Sequence, residues 1–216
     1  MRRPDLERAL GQVPLPPHPT PDLEQVRTPP AIAAELLWKA QAERAIEGRR
    51  VLDLGCGTGI FALGAALLGA RLATGVEVDA DAVALAQQAA RDLRVANRTW
   101  FVAADLATWR PEPAAFDTVV MNPPFGAQRG NRHGDRLFYA RAAEALRGTG
   151  GTCWFLAQEN SERFLDAYAR ELDAEVEKVA SWDYPLEAAQ AFHRKGVQAV
   201  PVGGYRMAFR PAGARG

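Results

Sequence analysis

The chain has 216 residues, 26 of them basic and 26 acidic, for a formal net charge of zero. That length suits one domain with an ordinary hydrophobic core. Charge balance excludes a global field that would draw the molecule to nucleic acid or membrane, leaving only local basic clusters for that task. The two cysteines, Cys56 and Cys153, have no CxxC partner or ligand spacing, so they read as free thiols of a reducing cytoplasm.

Met1-Arg2-Arg3-Pro4-Asp5 is charged and has no apolar core behind it, which argues against a signal peptide. The stretch to about residue 22, with Pro14, Pro16, Pro17 and Pro19, reads as an extended arm. Ala33, Leu36, Leu37 and Ala40 then recur at helical spacing between Pro29-Pro30 and Gly48. Strand and helix patterns alternate from there: strands at 50–54, 72–78, 99–103, 118–121 and 152–157, helices at 58–68, 81–93, 136–147 and 162–172. Two closing strands follow, 175–182 and 198–209, the second weakened by Pro201 and Gly203-Gly204. The longest apolar stretch, Ile60 to Ala70, is too short to span a bilayer. Alternation of this kind predicts a seven-stranded, mostly parallel α/β sheet with helices on both faces and an antiparallel edge. One domain is expected over residues 23–210, with a tail at 211–216.

Asp53-Leu54-Gly55-Cys56-Gly57-Thr58-Gly59 joins the first strand to its helix. Glycines there let backbone approach a ligand, and the helix behind favours an anionic group. The spacing is GxGxG rather than the GxGxxG of dinucleotide folds. Glu77 ends the second strand, where a carboxylate would accept both hydroxyls of an adenosine ribose; a solvated strand-end acid is the plainer alternative. Phe116 to Met121 reads as a buried strand that stops at Asn122-Pro123-Pro124-Phe125. Proline cannot extend the ladder and holds the preceding residue extended, which fixes Asn122 at the strand's carboxyl end, where open α/β sheets put their ligands. An amide, a neighbouring proline carbonyl and a flat ring suit an exocyclic amino group on a planar base. On Asn-Pro alone, a strand-ending turn is the simpler account.

Together these motifs resemble those of class I S-adenosylmethionine-dependent methyltransferases that modify amino groups, which have a Rossmann-like fold. The resemblance implies that Asp53, Gly55, Gly57 and Gly59 pack on the cofactor, that Glu77 binds its ribose and that Asp105 binds its adenine. Asp105 is equally a cap for the turn Leu106 to Trp109. Leu23-Glu24-Gln25-x-x-Thr28-Pro29-Pro30 is similar to the threonine-proline start of adenine-N6 methyltransferases, which implies cofactor contacts from Gln25 and Thr28; Thr28 would also cap the helix behind it. With Asp183-x-Pro185 and Phe192-His193-x-Lys195, nearly the whole chain, from Leu23 to Phe209, resembles the small-subunit ribosomal RNA adenine-N6 methyltransferases of the methyltransferase-like protein 5 family. Arg27 and Thr58 depart from that pattern, as does the run Val197 to Pro201, which is less acidic than the matching strand.

The implied chemistry is methyl transfer to an adenine N6 in RNA, with Asn122, Pro123, Pro124 and Phe125 catalytic. Rival readings with the same tetrapeptide are DNA adenine-N6 and protein glutamine-N5 methylation. Basic residues Arg129 and Arg132 beside the tetrapeptide, and His193, Arg194 and Lys195 further on, are suited to RNA phosphates and bases. Eukaryotic members of that family work with a small activator protein, so one is a possible partner. Neither His133 nor His193 has metal-ligand spacing, and no metal is expected.

Overall fold

A computed structural model describes residues 1–15, 28–124, 134–186 and 198–211. Seven strands form one sheet: β1 (Arg50–Leu54), β2 (Leu72–Glu77), β3 (Thr99–Ala103), β4 (Thr118–Met121), β5 (Thr152–Gln158), β6 (Ala174–Leu186) and β7 (Gln198–Phe209). Their order is β3-β2-β1-β4-β5-β7-β6. The first five run parallel, and β7 lies antiparallel between β5 and the outermost β6. Strand order reverses between β1 and β4, so a crevice opens above their carboxyl ends.

Helices α2 (Pro30–Ala42), α3 (Ile60–Leu67) and α4 (Ala80–Asp92) belong to one face, and α5 (Gly134–Leu146) and α6 (Glu162–Glu171) to the other. Two apolar clusters result, as expected for a sheet whose central strands are buried on both faces. One holds Leu36, Leu37, Phe61, Leu63 and Trp154; the other holds Leu52, Leu54, Val119, Met121 and Phe155.

Residues 3–10, expected within an extended arm, instead form α1 (Arg3–Leu10). Pro4 begins it, Asp5 sits in its first turn, and Leu6 and Leu10, one turn apart, are fully buried in the cluster that contains α2 and α3. The prolines lie beyond that helix. The second closing strand is also stronger than Pro201 and Gly203-Gly204 suggest. Pairing with β5 ends at Gln158↔Val202, so Pro201 is flanked on one side only, where a missing N–H is tolerated. At Gly204 a Cβ would lie 2.8 Å from the Trp182 ring, so the bare backbone makes room for that indole.

Candidate functional site

The carboxyl ends of β3, β2, β1 and β4 stand side by side, with registers Glu77↔Ala103, Leu54↔Val76 and Leu54↔Met121. The predicted residues Asp53, Gly55, Gly57, Gly59, Glu77, Asp105 and Asn122 therefore converge on one rim. Gln25, Phe125, Arg129, Arg132, His193, Arg194 and Lys195 lie outside the described residues.

Gly55, Gly57 and Gly59 all have positive φ (65°, 53° and 90°), which L side chains rarely adopt. Gly59 caps α3, and a Cβ there would meet Phe101 at 3.0 Å. At Gly57 a Cβ would meet nothing within 4 Å, so this loop faces open space, a cradle for a ligand. Glu77 fastens the loop: one oxygen accepts the Gly57 N–H (2.9 Å), the other accepts those of Val78 (2.8 Å) and Asp79 (3.1 Å). Three of the roughly four acceptor sites of a carboxylate are used, leaving capacity for one more donor. Val78, next in the chain, is 49% exposed and offers an apolar surface beside that acid.

Asp53 ends up 1% exposed. Its Oδ2 accepts the Ala62 N–H at 2.9 Å, and its Oδ1 has no partner. Burial raises its pKa to about 8; the Ala62 bond opposes the shift and the nearby Glu77 charge adds to it. A buried acid with an unused oxygen beside a second acid fits a cationic ligand. Asp105 is exposed, and its Oδ1 accepts the Ala107 N–H at 2.8 Å, so it does cap the turn that follows while its other oxygen stays available.

Asn122 shows the most specific geometry. Its Nδ2 donates to the Thr28 Oγ1 (3.1 Å) and to the Tyr184 hydroxyl (3.3 Å). Its Oδ1 is buried and has no partner. The two hydroxyls, themselves hydrogen-bonded to each other, hold the nitrogen end of the amide and leave the oxygen end free. A buried acceptor without a donor costs about 1–3 kcal/mol, so this oxygen is suited to accept an N–H from a ligand. Burial pushes the Tyr184 hydroxyl up to about 12, against the opposing bonds from Thr28 and Asn122, which keeps it neutral.

Thr28 does not cap α2 as expected. Pro29 holds the cap position without a side-chain bond, because the Thr28 hydroxyl is turned to Asn122. Sequence reasoning missed Tyr184 altogether. The available signal was a tyrosine before Pro185 on the apolar face that Trp182 begins, where a buried hydroxyl would need a partner.

This sheet order, with a glycine loop, strand-end acid and Asn-Pro-Pro on one rim, defines a Rossmann-like methyltransferase whose methyl donor is S-adenosylmethionine. The chain belongs to the family described as Methyltransferase small domain, which matches residues 30–181. It is 33% identical over 191 residues to the rRNA N(6)-adenosine-methyltransferase Mettl5 of Drosophila melanogaster, covering 86% of each chain. The METTL5 enzyme of Danio rerio is 30% identical over 197 residues, covering 90% of this chain and 93% of that one. Among solved structures, PH1948 of Pyrococcus horikoshii, described as a candidate RNA methyltransferase, superposes with a TM-score of 0.83 at 32% identity, covering 97% and 98% of the two chains. No helix among the described residues is long and apolar enough to cross a membrane.

Proposed function

We propose that the protein methylates the N6 amino group of an adenine in ribosomal RNA, in the small subunit, using S-adenosylmethionine in the cytoplasm. The observation that carries this reading is Asn122: an amide clamped through its nitrogen, with a buried oxygen acceptor that has no partner. Bound S-adenosylmethionine supplies a methyl group on a sulfonium, which leaves readily. Gly57 and its neighbours admit the donor, Glu77 offers its remaining acceptor site to the ribose and supplies negative charge, and Asp53 gives up its proton to add a second charge when the cationic donor binds. Asp105 would accept from the adenine of the cofactor.

The target adenine is unstacked before reaction. Asn122 Oδ1 then accepts one N6–H and the Pro123 carbonyl the other, which localises the nitrogen lone pair along the line of attack. Phe125 would stack on the base, and Pro124 keeps the turn stiff. As the N–C bond forms the amino nitrogen becomes acidic, and its proton passes to water after transfer, so no dedicated base is required. Positioning supplies most of the rate. Arg129, Arg132, His193, Arg194 and Lys195 would steady the flanking phosphates.

A small activator protein is a proposed partner. β3 is an edge strand with Trp100 65% exposed, and Leu72 on the neighbouring strand is 38% exposed, an apolar margin of the kind a partner covers. The test of function supplies labelled S-adenosylmethionine with separate RNA, DNA and glutamine-peptide substrates, followed by nucleoside mass spectrometry. N6-methyladenosine in RNA is expected. Label only in DNA or in peptide would overturn the reading. Ribosomal RNA from cells lacking the gene should miss one N6-methyladenosine.

A further inference from the structure

The amino ends of the strands, opposite Asn122, carry an arginine row. Arg49, Arg71 and Arg98 immediately precede or lead into β1, β2 and β3. Arg44 and Arg94 occupy left-handed turns after α2 and α4, with φ of 60° and 59°. The chain brings them together. Arg49 Nε donates to the Arg44 carbonyl at 3.1 Å, and the Arg71 N–H donates to the Arg49 carbonyl at 2.9 Å. The register Ala73↔Thr99 sets Arg98 beside Leu72. All five are exposed, and none has a carboxylate within ion-pair distance among the described residues. Concavities of about 450 and 290 Å³ flank the Arg44–Arg49 pair and share those two residues.

Neighbouring carboxylates do not neutralise the row. Asp117 is held by Arg50 and Glu43 by Arg206. Glu47 and Asp92 remain, and their recorded partners are the neutral amides of Gln41 and Gln88. Among the described residues the five arginines form no ion pair, and the acids nearest them are Glu47, Asp92 and Asp117, the last shared between Arg50 and the field of Arg49. Helix dipoles favour a cation in a last turn. Lys39 and Arg91 already hold those places on α2 and α4; Arg49 and Arg71 stand beyond the helices, and Arg98 ends only the single 3-10 turn Ala96–Arg98. A planar guanidinium with no acid partner matches phosphate oxygens.

We propose that this arginine row is a second RNA contact, gripping the substrate's phosphate backbone while the target base occupies the cleft at the other end of the sheet. It rests on the reading of RNA as substrate. The two places lie about 20 Å apart, the length of a six-residue strand such as β2. A short oligonucleotide fills the cleft alone, and a structured RNA reaches both.

The experiment compares wild type, the triple variant Arg49→Gln/Arg71→Gln/Arg98→Gln and the matching triple Arg→Lys variant. Binding of a fluorescent hairpin RNA with a single-stranded, adenosine-bearing tail is titrated across salt concentrations without cofactor. Methylation of a six-nucleotide single-stranded RNA is measured separately. Each lost phosphate contact lowers the slope of log K against log salt by about 0.7–0.9. The Gln triple should therefore lose about 2 in slope and bind at least about tenfold more weakly at low salt. The Lys triple should keep most of the slope, and the short RNA should be methylated at the wild-type rate by both variants. An unchanged slope in the Gln triple overturns the proposal, and so does an equal loss on the short RNA. Because binding is read without methyl transfer, a wild-type protein that binds the hairpin yet never methylates adenosine would sink the activity and leave the arginine row standing.

Discussion

Tyr184→Phe removes one oxygen from the clamp on Asn122 and little else, since the ring stays in place in a fully buried position. The Asn122 Nδ2 keeps its 3.1 Å bond to Thr28 and loses the 3.3 Å bond to the phenol. A neutral hydrogen bond of this kind is worth about 0.5–1.5 kcal/mol net. If it serves to aim Oδ1, that energy is lost from the transition state, and turnover falls about three- to tenfold. Thr28→Val together with Tyr184→Phe leaves Nδ2 with neither acceptor. The amide is then free to rotate, and the loss should reach about 10²-fold, the upper end of the two single effects combined. The assay is single-turnover transfer of labelled methyl to an adenosine-containing RNA, with cofactor affinity measured in parallel by calorimetry. Cofactor affinity should be unchanged in Tyr184→Phe. A wild-type single-turnover rate in the double variant would falsify the clamp. A loss of cofactor affinity as large as the loss of rate would return Thr28 and Tyr184 to cofactor binding.

Asn122→Ala should bind S-adenosylmethionine normally by calorimetry and show no detectable transfer; measurable turnover near wild type would remove the amide from catalysis. For Asp53 the folded pKa of about 8 lies above the ordinary value of 3.8. The folded state therefore retains a proton that the unfolded chain releases, and stability falls as pH rises from about 4 to about 8, by order of several kcal/mol. Asp53→Asn should abolish that fall in urea melts at pH 5 and pH 8, and a decline of equal size in the variant would assign it to other groups. A cationic donor bound beside Asp53 should favour the carboxylate, so cofactor binding near pH 7 should release protons, read from binding enthalpies in buffers of different ionisation heat. Gly57→Ala adds a methyl group into open space at a positive φ; it should cost about 1–2 kcal/mol of stability and weaken the cofactor at least about tenfold. Gly59→Ala, which meets Phe101 and Ala86, should show the larger drop in melting temperature. Leu10→Ala should cost about 2–5 kcal/mol, because α1 is part of the core; a change under 1 kcal/mol would make that helix an appendage.

The strands were legible because each is a short, largely apolar run bounded within two residues by Gly, Asp or Asn, and the rim residues because each lies at or just beyond a strand's carboxyl end. Local chemistry decided both. The clamp was not legible. Thr28 and Tyr184 lie 94 and 62 residues from Asn122 in sequence, and only the insertion of β7 between β5 and β6 settles where Tyr184 comes to rest. The first helix was obscured by the prolines after it, which drew attention from the Leu6–Leu10 spacing. Arg44 to Arg98 are spread over three strand–helix units, so their proximity is a property of topology and not of composition.

The brace on Asn122 is assembled from residues made at opposite ends of synthesis. Thr28 precedes β1, whereas Tyr184 sits on β6, which pairs with β7 from residues 198–209. On the proposed mechanism, the residues of the nucleoside cradle are therefore synthesised well before the amide that meets the base is fully held, and competence for transfer waits for the last strand.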